Sequence, residues 1–260
     1  MRTVRVTRYV TPLREGGSLP AIVEADDDGL YVLKFRGAGQ GPRALVAEII
    51  AGELARALDL PVPDLVLAEL DPDLARTEPD PEIQELIRAS AGLNAAMDYL
   101  PGSVAFDPVA TTIDADLASR IVWFDAFVSN VDRTARNTNL LMWHRTLWLI
   151  DHGAALYVHH TPGWHDDPAR PRDRFALVRD HVLLPFATAI EDADAVLAPR
   201  VTPELVDGVL ALVPDAWLAP DTAPEALDDA ARVARDRYRR YLLARASAPR
   251  AFVEEAAGGR

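Results

Sequence analysis

Three side chains near the middle of the chain have the types and spacing that phosphoryl transfer requires. That chemistry needs a carboxylate near the acceptor hydroxyl and oxygen ligands for a Mg²⁺ that bridges the ATP phosphates. Asp132 and Asn137 form an Asp-x₄-Asn arrangement in the polar stretch 129–139, and Asp151 follows in Leu149-Ile-Asp-His-Gly153. Two short apolar runs, 140–143 and 147–150, flank His144-Arg145 and are expected to pair as a hairpin that brings Asp151 to the first two groups. Singly, an Asp or Asn in a loop caps a helix or makes a turn. Turn-making does not explain why three of them, so spaced, follow a sheet that carries a lysine.

That lysine is Lys34, in Tyr31-Val-Leu-Lys-Phe35. A lone lysine on a strand ordinarily marks the solvated face or an edge. Beside the loop residues it reads as a cation that neutralises phosphate, a role that calls for a carboxylate from the next helix to hold it. Glu48 fits, because its neighbours one turn away, Ala44, Leu45, Ala51 and Gly52, leave a mostly small face that can approach the sheet. Glu53 has Arg56 three residues on and reads as a solvated pair. Backbone donors for phosphate are expected from Gly16, Gly17 and Ser18, or from Gly37, Gly39 and Gly41; neither segment is a Gly-Lys-Ser/Thr phosphate loop.

These residues need elements to position them. Val4, Val6 and Val10 recur with period two, and runs at 21–25 and 30–35 are joined by Asp26-Asp-Asp-Gly29, a hairpin turn, so an antiparallel sheet is expected. Val46, Ile50, Leu54 and Leu58 mark a helix that stops before Pro61. A strand at 65–70, a surface loop at 71–81, a short helix at 82–91 and an extended segment at 94–100 follow. Beyond Pro101-Gly102 a long helix is expected from Asp114 as N-cap, with Leu117, Ile121, Phe124 and Val128 on one face. The remainder reads as helical at 175–191, broken at Pro185, then at 203–213 and 224–248. The fold class is α+β, with a β-rich lobe over residues 1–100 and a helical lobe over 101–260.

Composition removes other classes. The 260 residues carry 27 Lys+Arg against 40 Asp+Glu, a formal charge of −13, which disfavours nucleic acid and anionic membrane as partners. Cysteine is absent, so disulfides, thiolate zinc sites and cysteine nucleophiles are excluded, and a reducing cytoplasm is the expected location. No apolar run approaches the ~20 residues that span a bilayer. His159, His160, His165, Asp166 and Asp167 are read as a solvated loop rather than a zinc site, the tryptophans as packing residues, and 235–240 as a solvated basic helix face.

Tyr31-Val-Leu-Lys-Phe35, residues 47–63 ending in Leu-Pro-Val-Pro63, Tyr99-Leu-Pro-Gly102, Asn130-Val-Asp-Arg-Thr-Ala-Arg-Asn137 and Ile150-Asp-His-Gly153 together resemble the HipA-like kinase family. The matching stretches run in order over about residues 14–160, and the Asn-x-Asp-Arg-x₃-Asn block is the most specific. The resemblance implies a two-lobed, protein-kinase-like fold related to the phosphatidylinositol kinases. It implies Asp132 as catalytic aspartate, Asn137 and Asp151 as magnesium ligands, and Lys34 on the ATP phosphates. Met97, Asp98, Tyr99 and Leu100 would be the hinge that meets adenine, Thr134 would line the nucleotide site, and the nucleotide loop would fall at Gly16, Gly17 and Ser18. Thr134 stands where the toxins of the family commonly have histidine, and His152 where ordinary protein kinases have phenylalanine. The expected acceptor is a hydroxyl, on a protein serine or threonine by family; a small molecule or lipid, or a nucleotide-binding module without turnover, stay open.

Overall fold

The computed structural model describes residues 1–13, 19–39 and 41–259. Five strands and two helices make the N-terminal region: β1 (Thr3–Pro12), β2 (Ala21–Ala25), β3 (Leu30–Lys34), α1 (Gly41–Ala57), β4 (Leu65–Leu70), α2 (Pro81–Ala89) and β5 (Gly92–Asp98). The strands close into a barrel in the order β1-β2-β3-β5-β4. Closure departs from the purely antiparallel sheet expected: Thr3, Val4 and Arg5 of β1 pair in parallel with Leu67, Ala68 and Glu69 of β4. Closing the sheet removes its free edges. Alternate residues fill the interior: Ala21, Val23 and Ala25 from β2, Tyr31 and Leu33 from β3.

The segment expected as a plain loop at 71–81 contains a 3₁₀ turn, Pro72–Thr77, whose first free amide, that of Asp73, donates to the Asp71 side chain. Its Ala75 is buried with Ile83 and Ile87 of α2 against the barrel. α1 is buried on nearly every side, continuously from Leu45 to Gly52, because barrel and C-terminal helices enclose it.

The C-terminal region holds β6 (Val104–Ala105), α3 (Ala115–Val128), β7 (Leu140–Trp143) and β8 (Thr146–Leu149), then α4 (Ile190–Leu197), α5 (Pro203–Leu210), α6 (Asp215–Leu218), α7 (Leu227–Ala246) and α8 (Ala251–Gly258). Asp114 caps α3 by accepting from the Leu117 amide at 3.0 Å. Trp123, buried in α3, stacks on Phe127 at 5.3 Å and meets Phe252 of α8 edge-on at 5.7 Å. On α7, Arg239 pairs with Asp207 and Arg240 with Asp236 on the exposed face.

The segment 175–191, expected as helix broken at Pro185, is broken more extensively than that. Two 3₁₀ turns, Ala176–Asp180 and Leu184–Phe186, occupy it, and α4 begins only at Ile190. Pro185 lacks an amide, and His181 leaves the helical path to bridge Thr134 and to accept the Leu183 amide on its ring at 3.0 Å. Among the described residues no helix is long and apolar enough to cross a membrane.

Candidate active site

Strand alternation decides where Lys34 points. Tyr31 and Leu33 of β3 face the barrel interior, so Val32 and Lys34 share the opposite face. On that face Val32 is paired with Ile22 of β2 and Met97 of β5, and Lys34 with Ala95. Lys34 therefore stands at the end of an apolar patch of Ile22, Val32 and Met97. Ile22 and Val32 escaped the sequence reading, although apolar residues on both faces of β2 and β3 were its available signal.

The Lys34 ammonium donates to Glu48 Oε2 at 2.5 Å and to Asp151 Oδ1 at 2.7 Å. Burial opposes its charge, but the Asp151 and Glu48 carboxylates outweigh burial and raise its pKa above the ordinary lysine value. Glu48 is likewise penalised by burial, yet Lys34 and then His152 hold its carboxyl below the usual range. Asp151 is the outer member, about 40% exposed, on a left-handed backbone with φ 52°. A small cavity of about 20 Å³ lies between this trio and the first turn of α1, lined by Lys34, Ala38, Gly41, Ala44, Asp151 and Gly153. It has room for about one water.

The loop after α3 is built on a buried ion pair. Arg133 Nε meets Asp125 Oδ2 at 2.5 Å with both side chains fully covered. Asp125 Oδ1 accepts from Asn130 at 2.9 Å, and Oδ2 also accepts from His181 Nε2 at 2.9 Å. The Leu183 amide occupies the other ring nitrogen of His181, which puts the imidazole proton on Nε2. Burial pushes the Asp125 carboxyl up, but Arg133 and His181 hold it well below the usual carboxylate range. Arg133 Nη1 also donates to the carbonyls of Asn139 and Ile150, so one guanidinium ties the loop to the segment that leads from β8 to Asp151. Asp125, Arg133 and His181 went unread in the sequence; the available signal was an aspartate between Phe124 and Ala126 on an otherwise apolar helix.

Upon this frame Asp132 is oriented by amides. Its backbone N–H donates to Asn130 Oδ1 at 3.1 Å, and its Oδ2 accepts from Asn137 Nδ2 at 2.8 Å and Asn139 Nδ2 at 3.2 Å. Thr134 closes the turn, donating its amide to the Asn137 carbonyl at 2.9 Å. With Nδ2 so engaged, Asn137 keeps its carbonyl oxygen for a cation. That oxygen and the Asp151 carboxylate are hard donors, and a magnesium ion ordinarily takes one or two protein oxygens with phosphates and waters supplying the rest. The donor set fits magnesium.

In the expected hinge, Met97 is buried on the lysine-bearing face. The Asp98 amide donates to the Asp64 carbonyl and the Tyr99 amide to the Leu30 carbonyl, each at 2.9 Å. These two amides are thus engaged within the barrel. Leu100 follows, buried, and the next carbonyl, of Pro101, accepts from Trp143 Nε1 at 2.9 Å. Gly16, Gly17 and Ser18 lie outside the described residues. In the other glycine segment, the Gly37 amide donates to Ser90 Oγ at 3.0 Å, which fixes its start against α2.

His159 corrects the reading of a solvated loop. It is 1% exposed, in a 3₁₀ turn, with Nδ1 at 2.9 Å from the Tyr238 hydroxyl and Nε2 at 3.1 Å from His160 Nε2. Burial, with His160 and Arg43 nearby, lowers its pKa to about 3. Among the described residues no group of three or more His, Cys, Asp or Glu is placed to hold a metal.

A lysine held by a helix glutamate, an Asp-x₄-Asn loop and an Asp-x-Gly strand end are the residue set expected of a phosphotransferase. A family model described as HipA-like kinase matches residues 6–162, and the chain belongs to that family. No curated protein matches. Among solved structures, the chain is similar to the Helicobacter pylori proinflammatory kinase CtkA, at 12% identity and a TM-score of 0.47, over 87% of this chain and 92% of that one.

Proposed function

We propose that the protein is an ATP- and Mg²⁺-dependent kinase of two lobes, residues 1–100 and 101–260, that transfers the γ-phosphoryl group to a hydroxyl, on a protein serine or threonine. The observation that carries this is Lys34, which is largely covered between Glu48 and Asp151 and so joins the barrel, α1 and the end of the β7–β8 hairpin. In this reading the apolar patch of Ile22, Val32 and Met97 covers the adenine, and Lys34 takes the phosphates. Glu48 keeps Lys34 in place. Met97, Asp98, Tyr99 and Leu100 line the base, and Thr134 borders the nucleotide.

Asn137 and Asp151 would hold Mg²⁺, which when bound neutralises charge on the β- and γ-phosphates. Asp132 would accept the hydrogen bond of the acceptor hydroxyl and take its proton as the phosphoryl group leaves ATP. Asn137 and Asn139 orient its carboxylate toward that task. Since phosphoryl transfer asks for little covalent chemistry from the protein, positioning and charge neutralisation supply most of the rate. The acceptor would approach through a cleft of about 270 Å³ that opens beside Val131, next in chain to Asp132, and is lined by Tyr157, Val158, Thr161, Arg170, Phe175 and Leu177.

The test is to incubate the protein with Mg²⁺ and γ-labelled ATP, alone and with a lysate, and to read the label in protein and in small-molecule fractions. Label on serine or threonine supports the reading. A thermal shift with Mg·ATP but neither ADP nor labelled product would instead describe a nucleotide-binding module.

A further inference from the structure

We propose that His152 is a positioning residue, whose Nδ1–H engages the second oxygen of Glu48 so that the carboxylate is held at both ends, by Lys34 on Oε2 and by the imidazole on Oε1. The inference deepens the kinase reading and rests on it for its kinetic arm.

Two orphaned polar atoms carry it. The His152 ring is wholly buried, and neither of its nitrogens has a hydrogen-bond partner; Glu48 Oε1 is also buried without one. His152 Nδ1 and Glu48 Oε1 lie 3.9 Å apart. Buried polar groups left unpaired are costly and rare in folded chains, so two such atoms facing each other call for a single explanation. Moving from 3.9 Å to the ~2.9 Å of an N–H···O bond needs only side-chain adjustment.

The surroundings are shaped for this ring. The left-handed backbone at Asp151 turns consecutive side chains apart, with Asp151 toward Lys34 and His152 into the interior. One turn along α1 from Glu48 stands Gly52, where a Cβ would lie 2.4 Å from Leu65 Cδ1 and 3.8 Å from His152 Nδ1. A side chain there would crowd the space in which ring and carboxylate meet.

The arrangement has a purpose in the reaction. Lys34 is shared between Glu48 and Asp151, and the kinase reading requires Asp151 to turn to the metal. Glu48 is then the remaining anchor for Lys34. A carboxylate held at one oxygen can swing; held at both, it keeps the ammonium where the phosphates arrive.

The test compares wild type, His152→Phe, Glu48→Gln and the double variant. His152→Phe is expected to lower kcat/KM for ATP by about tenfold, the scale of an outer partner of a site ligand. In the Glu48→Gln background the same change should act within about twofold, because its route is already cut. An equal loss in both backgrounds would make His152 a packing residue and overturn the proposal. Ring ¹⁵N shifts of His152 in the wild-type protein give a reading independent of turnover and of whether the variants fold. A protonated Nδ1 with a bare Nε2 is expected. The opposite tautomer would overturn the proposal, whereas absence of phosphoryl transfer alongside the expected tautomer would count against the kinase reading only.

Discussion

Asp125 and Arg133 are joined by a buried ion pair, Oδ2 to Nε at 2.5 Å, with no exposed surface on either side chain. Two charges withdrawn from water gain little from each other overall, so a pair of this kind is better understood by what it positions. Here the same guanidinium donates to the carbonyls of Asn139 and Ile150, and the same carboxylate accepts from Asn130 and His181. The loop that presents Asp132 and the strand that presents Asp151 are thereby built on one charge pair.

Arg133→Met should therefore destabilise the protein by about 3–5 kcal/mol, since it leaves the buried Asp125 carboxylate without its guanidinium. Urea unfolding checks this. Removing both charges, as Asp125→Leu with Arg133→Met, should recover part of the loss, and a double variant no more stable than the single would contradict the account.

Gly52→Ala adds a methyl at a position where the Leu65 side chain would be 2.4 Å away. Overpacking of this sort costs about 1–3 kcal/mol. Because α1 carries Glu48 on the same face, the loss of stability should come with a weaker grip on Mg·ATP, measured by calorimetry.

His159 gives a pH dependence with a definite sign. Its pKa is lowered to about 3 in the folded chain, so between that value and the ordinary ~6.5 the unfolded chain binds the extra proton. Its contribution is full above ~6.5 and is lost as pH falls below it, with a slope approaching ~1.4 kcal/mol per pH unit. Unfolding free energies between pH 4 and 6 should show this slope, and His159→Phe should flatten it by about one proton. Asp125, with a depressed pKa, acts lower down: its stabilisation is complete above the ordinary ~3.9 and disappears as pH falls beneath that.

Lys34 and Asp151 are bonded to each other, so in the proposed reaction nucleotide and metal would have to part them. Asp151→Asn should weaken magnesium-dependent nucleotide binding more than binding of the metal-free nucleotide. Titrating Mg²⁺ at fixed ATP in wild type and variant reads the difference; equal effects would argue against Asp151 as a ligand.

Much of this frame was legible because its signals are local. The Asp-Gly turn marks the β2–β3 hairpin, the capping Asp114 marks α3, and apolar runs on either side of His144-Arg145 mark β7 and β8. Lys34 and Glu48 could be matched because strand and helix are adjacent in sequence. What stayed hidden depends on distant partners. β1 closes the barrel by pairing three residues with β4 about sixty positions on, and so short a pairing leaves no periodicity of its own. His159 is buried by Tyr238, 79 positions away, so its own neighbourhood, with Thr161 and Asp166, reads as solvent-facing. Within 175–191 the break at Pro185 is legible because proline lacks an amide, but the earlier one follows from His181 leaving the helical path for Asp125, 56 positions earlier. Such bonds are set by the assembled core.

Asp132 is proposed to act on an acceptor hydroxyl while Lys34, Asn137 and Asp151 hold the nucleotide and its metal. The most direct measurement is phosphoryl transfer from γ-labelled ATP by wild type and Asp132→Ala, with Mg·ATP affinity measured on the same samples. The account predicts a loss of about 10²–10⁴-fold in transfer with affinity changed by less than about threefold. Transfer by Asp132→Ala at the wild-type rate would contradict it.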